Sequence, residues 1–132
     1  MKKEILVIDD LVPMSAPRPR FSKNGRVFSP PKYEDYKSKI SSQYKGYFFG
    51  DNFIKIKICF EFKVPKSYNK EKRSKALEGI LRPTQKDTDN LVKGILDALN
   101  GVSFTDDRYI YYIQAEKRYS DNNRITIKIE GE

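Results

Sequence analysis

The chain has 132 residues, enough for one compact domain spanning 1–132, with 38% hydrophobic residues and 17 Phe and Tyr side chains to build a modest core. It contains no His, which excludes Ser-His and Cys-His nucleophile pairs, a His general base and His-containing zinc sites, and a lone Cys59 excludes a disulfide framework or thiolate metal cluster. Charge is lopsided: +8 overall, with 18 basic against 6 acidic residues between 17 and 86, while 1–16 and 87–132 are net acidic, so catalysis falls to carboxylates, Lys, Tyr or hydroxyls and the basic middle suits a polyanion such as nucleic acid.

Residues 4–12 read as a first strand. The start of the chain meets Asp9 and Asp10 where a signal peptide would stay apolar, and no apolar run is long enough for a bilayer, so a cytoplasmic protein is expected. Pro13, Pro17, Pro19, Pro30 and Pro31 argue against regular structure over most of 13–31. This basic loop interleaves Arg18, Arg20, Lys23 and Arg26 with Phe21 and Phe28, a composition suited to phosphates and bases. Tyr33, Tyr36, Ile40, Tyr44 and Tyr47 then recur at helical spacing, predicting a helix over 32–46 whose aromatic stripe faces the core.

From Phe53 to Val64 apolar residues alternate with Lys55, Lys57, Cys59, Glu61 and Lys63, the pattern of a half-buried strand in which Cys59 is a small packing residue. Ser67 is a candidate N-cap for a short basic helix carrying Lys72, Arg73 and Lys75, stopped by Gly79 and Pro83. A further helix spans 89–100, with Leu91, Val92, Ile95, Leu96 and Leu99 on one stripe, Asp89 as N-cap candidate and Gly101 beyond its end. Two strands, 109–119 and 124–130, flank Ser120-Asp121-Asn122-Asn123 and predict a C-terminal hairpin.

Asp87, Asp89, Asp97, Asp106 and Asp107 fall within 21 residues of an otherwise basic protein. In extended backbone Asp87 and Asp89 point to one side, where two like charges invite a divalent cation and the helix dipole offsets their repulsion; simple capping by Asp89 is the alternative. Lys93 sits in the first turns, where the dipole disfavours a cation, and suits a site beside a phosphate better than an i to i+4 pair with Asp97 in the weaker order. Asp106 and Asp107 stand in the loop after this helix, and adjacent extended residues point oppositely, so one of them faces the site.

The run Asp87-Thr88-Asp89-Asn90-Leu91-Val92-Lys93-Gly94-Ile95-Leu96-Asp97-Ala98-Leu99-Asn100-Gly101, followed by Asp106-Asp107, resembles the RusA-type Holliday junction resolvases. So do Arg18-Pro19-Arg20-Phe21, Gly25-Arg26-Val27, Pro65-Lys66-Ser67 and Arg82-Pro83-Thr84, and the resemblance covers most of the chain. It implies a small α+β fold, a mixed sheet with two main helices and the C-terminal hairpin, assembled as a homodimer. It further implies an enzyme of DNA recombination and repair that cuts four-way junctions by paired symmetric nicks, using Mg²⁺ or Mn²⁺. Residue by residue, the metal-binding and catalytic aspartates fall on Asp87, Asp89 and Asp107 and the essential lysine on Lys93, with Asp106 as the neighbouring acid. Arg18, Arg20, Lys23, Arg26, Lys66, Lys72, Arg73, Lys75, Arg82 and Lys86 are the candidates for tracking the DNA backbone. The basic stretch between Lys63 and Lys86 is longer than in the smallest members and bears on sequence preference at the cut. A non-catalytic basic nucleic-acid-binding domain, a general metal-dependent nuclease and an RNA substrate are the competing readings.

Overall fold

The alternation after Phe53 yields strand β4, Ile54–Lys63, whose Ile54, Ile56, Ile58, Phe60 and Phe62 are buried while Lys57 and Lys63 face solvent. A computed structural model describes residues 1–17, 20, 21, 27, 28 and 30–132, with the side chains of 20, 21, 27 and 28 left aside. Around β4 stand β1 (Lys2–Asp9), β5 (Ile110–Ser120) and β6 (Arg124–Gly131), in the order β1-β6-β4-β5. β6 runs antiparallel to both β1 and β4, whereas β5 runs parallel to β4, so the sheet is mixed. Register aligns the core side chains in rows, Leu6 with Ile127 and Ile58, and Ile8 with Ile125 and Phe60.

Three helices complete an α+β domain: α1 (Pro31–Gln43), α2 (Lys70–Leu77) and α3 (Thr88–Leu99). α3 buries Leu91, Ile95, Ala98 and Leu99 against the sheet, and α1 packs on α3 through Tyr33, Tyr36 and Ile40. Tyr44 is also buried although it lies past the helix end, and Tyr47 is more than one-third exposed, so the expected core stripe holds for all but its last member. Gly94 lies where α1 and the strap before it approach α3. A Cβ there would stand 3.2 Å from the Met14 carbonyl oxygen and 3.6–3.7 Å from the rings of Tyr36 and Tyr33. A mid-helix Gly costs about 1 kcal/mol of helix propensity relative to Ala, and here it leaves room for the Met14 carbonyl.

Several sequence expectations are corrected. The C-terminal hairpin is not formed: β5 and β6 are both neighbours of β4 and not of each other. The connection instead passes over the end of β4, where the Asn123 side chain accepts the Lys63 backbone N–H and the Val64 N–H reaches the Ser120 carbonyl. β4 and β6 both bury an apolar face along their whole length and take the two interior places, whereas β5, largely exposed, lies at the edge beyond β4. The segment 13–31 contains a two-residue ladder, β2 (Arg20–Phe21) with β3 (Val27–Phe28). The α2 cap is Asn69, which accepts the Lys72 N–H at 2.8 Å, not Ser67. Cys59 is partly buried and its thiol is pushed up by desolvation and then by Glu116 and Glu61, in keeping with a packing role. Among the described residues no helix is long and apolar enough to cross a membrane.

Candidate active site

The helix that carries the acidic motif begins one residue earlier than its sequence suggests. Asp87, not Asp89, is the N-cap of α3, in extended backbone and with no side-chain capping bond, while Asp89 belongs to the first turn and accepts the Asn90 N–H at 2.9 Å. Both residues are cap formers, so the boundary moves easily between them. The two carboxylates therefore do not share one side of an extended strand; one precedes the helix and the other lies within it, both at its positive end.

Neighbouring elements fix this entrance from two directions. The Lys117 ammonium, on β5, donates to the Lys86 carbonyl at 2.6 Å, directly before Asp87. Arg82 reaches the Lys117 carbonyl at 2.9 Å and the Glu116 carboxylate at 3.4 Å, tying the approach segment to the same strand. From the other side the Ala16 N–H donates to the Asn90 carbonyl at 2.9 Å, so the strap that leads into the basic segment leaves from beside the first turn of α3.

At the far end, Gly101 in the left-handed region stops α3, and the loop turns back with Ser103 and Phe104 fully buried. Phe49 N–H to Ser103 carbonyl and Thr105 N–H to Gly50 carbonyl pin that loop. A single turn of 3-10 helix, Asp107–Tyr109, follows, capped by Asp106, which accepts the Arg108 N–H at 3.0 Å. The adjacent acids do not point apart, because the turn brings their carboxyl groups within hydrogen-bonding reach of each other. Asp106 is held below the ordinary carboxylate range by the Arg108 N–H and by Asp107. Asp107 is pushed above it by desolvation, then by Asp106, with Asp97 adding to the rise and Lys93 opposing it. Asp107 thus lies in the field of two α3 side chains, Lys93 and Asp97, while among the described residues it makes no three-acid group with Asp87 and Asp89, the pair that it is expected to join.

On α3 itself Lys93 Nζ faces Asp97 Oδ1 at 3.5 Å, so the pairing weighed against a phosphate role is present. Asp97 Oδ2 meanwhile accepts the Tyr33 hydroxyl at 2.7 Å. The sequence offers Asp97 only as an i to i+4 surface partner of Lys93 and Tyr33 only as core, whereas folding joins them. Lys117, which holds the Lys86 carbonyl, carries no local signal. Lys93 and Asp97 pair on α3 and both act electrostatically on Asp107, while Asp87 and Asp89 stand at the helix entrance; among the described residues no three acidic side chains stand close enough to hold one ion. The donor chemistry nonetheless fits a hard cation: every donor is a carboxylate oxygen, Asp87 spends none of its lone pairs on capping, and like charge already raises Asp107.

Of the expected DNA contacts, Lys66, Lys72, Arg73 and Lys75 are solvent-exposed on or before α2, with Lys75 paired to Glu71 at 3.5 Å and Lys72 above the Tyr68 ring. Arg82 is half-exposed and braces β5, and Lys86 is partly buried. Arg18, Lys23 and Arg26, and the Arg20 side chain, lie outside the described residues.

Comparison with known proteins agrees with the motif. The chain is 35% identical over 130 residues, covering 89% of each chain, to the Bacillus subtilis (strain 168) protein described as "Uncharacterized protein YqaN". Residues 10–130, which include the entire acidic helix, its return loop and the basic middle, match the family described as "Endodeoxyribonuclease RusA". This chain belongs to the RusA endodeoxyribonuclease family.

Proposed function

We propose that the protein is a divalent-metal-dependent endodeoxyribonuclease that resolves four-way DNA junctions by paired symmetric nicks, acting as a homodimer in recombination and repair. The observation that carries this reading is the return of the 102–107 loop to α3, which sets Asp107 in the field of Lys93 on the helix whose entrance holds Asp87 and Asp89. Asp87, Asp89 and Asp107 would hold Mg²⁺ or Mn²⁺, and such an ion, when bound, supplies a Lewis acid and a more acidic water. The helix N-terminus sets a positive dipole beside Asp87 and Asp89 that offsets their mutual repulsion. The Lys93 ammonium stabilises the charge that develops on the phosphoryl oxygens. In the net reaction water adds its oxygen to phosphorus, the bond to the 3′-oxygen breaks, and that oxygen takes the proton, leaving a 3′-hydroxyl and a 5′-phosphate.

A C2 dimer would present two identical sites to a two-fold junction. The start of β5 supports this assembly, since it is a sheet edge on which Tyr111, Tyr112 and Ile113 are 62%, 42% and 47% exposed. Exposed Lys66, Lys72 and Arg73 would follow the phosphates. The test compares a synthetic four-way junction with linear duplex in Mg²⁺ or Mn²⁺. Metal-dependent nicking of the junction alone is expected, lost in Asp89→Asn and Asp107→Asn protein that still binds. Binding without cleavage would favour the non-catalytic module, equal cutting of duplex a general nuclease, and preference for RNA strands a ribonuclease.

A further inference from the structure

Asp97 divides its two oxygens between partners of different kinds. Oδ2 accepts the hydroxyl of Tyr33, 64 residues earlier in the chain, at 2.7 Å, and Oδ1 faces the Lys93 ammonium at 3.5 Å. Tyr33 is 5% exposed, and its ring packs beside Gly94, the residue next to Lys93, 3.7 Å from where a Cβ there would stand. Burial, then the bond to Asp97 and its charge, keep the Tyr33 hydroxyl protonated far above physiological pH, so it is a permanent donor. An exposed pair with Lys before Asp contributes little to helix stability, and stability alone gives no reason to orient its carboxylate from the core.

We propose that Asp97, fixed by the hydroxyl of Tyr33, is a positioning residue that holds the Lys93 ammonium on the side of α3 facing Asp107, where the scissile phosphate sits. The inference rests on the nuclease reading above and adds two residues to it. With Oδ2 occupied by a buried donor, the carboxylate cannot turn freely, and Oδ1 stays directed at Lys93. The ammonium then samples a narrow range of positions instead of the wide one open to a surface lysine.

The experiment measures single-turnover cleavage of a four-way junction in Mg²⁺ by wild-type, Tyr33→Phe, Asp97→Asn and the double variant. Tyr33→Phe keeps the ring that packs beside Gly94. It is expected to slow cleavage about tenfold, with metal-free junction affinity changed by less than about twofold. The double variant is expected to be no slower than Asp97→Asn, because Tyr33 acts through Asp97. An activity-independent arm follows the Lys93 side-chain NMR signal in metal-free protein, which is expected to move in both single variants. Wild-type rates with an unmoved Lys93 signal in Tyr33→Phe, or fully additive losses in the double variant, would overturn this inference alone. A wild-type protein that cuts no DNA would overturn the nuclease reading and this role with it.

Discussion

Asp107 and Asp106 show what a charged site costs one residue at a time. Asp107 has a folded-state pKa above its ordinary value, so its contribution to stability is present below the ordinary carboxylate range and is lost as pH rises through the raised value. Asp106 behaves oppositely, contributing above the ordinary range and losing that contribution as pH falls through its lowered value. At neutral pH, Asp107→Asn is therefore expected to leave the thermal midpoint unchanged or raise it by about 1–3 °C, while cleavage falls by at least about 100-fold. Asp87→Asn should keep stability within about 0.5 kcal/mol, since the Asp87 side chain makes no capping bond to lose, and should also abolish cleavage. Thermal melts beside nicking assays decide this; a loss of stability matching the loss of rate would mean that these aspartates serve the fold.

The contact between α1 and α3 is the element that links fold to site. Gly94→Ala gains about 1 kcal/mol of helix propensity but sets a methyl group 3.2 Å from the Met14 carbonyl, on a strap that Ala16 ties to α3. A net loss of about 1–2 kcal/mol is expected by chemical denaturation, because the Met14 carbonyl and the strap that carries it must shift. At this scale much was legible in the sequence. The alternation of β4 and the apolar stripe of α3 each bury one continuous face, and such periodicity survives folding unchanged. The partner of β5 was not legible, because Ser120-Asp121-Asn122-Asn123 marks a reversal of the chain without saying whether the returning strand lies beside β5 or one strand beyond it. The Asp-x-Asp motif and Lys93 could be read as a site, since their spacing on one helix is local. The Tyr33–Asp97 bond could not, since it joins residues that only helix packing brings together.

Seen whole, the molecule sets an acidic helix and its return loop beside a surface rich in cations. Junction affinity is expected to fall steeply between about 50 and 200 mM salt; a flat response would remove Lys66, Lys72 and Arg73 from the interface. If the exposed edge of β5 forms the proposed dimer, Ile113→Glu there gives a monomer in sedimentation and uncouples the two nicks, while an unchanged oligomeric state removes this edge from the interface. The most direct measurement of the central claim uses a supercoiled plasmid that extrudes a cruciform, incubated with the protein and Mg²⁺. Paired symmetric cutting within one junction is expected to give linear plasmid with 5′-phosphate ends mapping to the cruciform base, while metal-free protein leaves the plasmid supercoiled. Nicked circles alone, cuts scattered over the plasmid, or no cleavage in either metal would contradict the account.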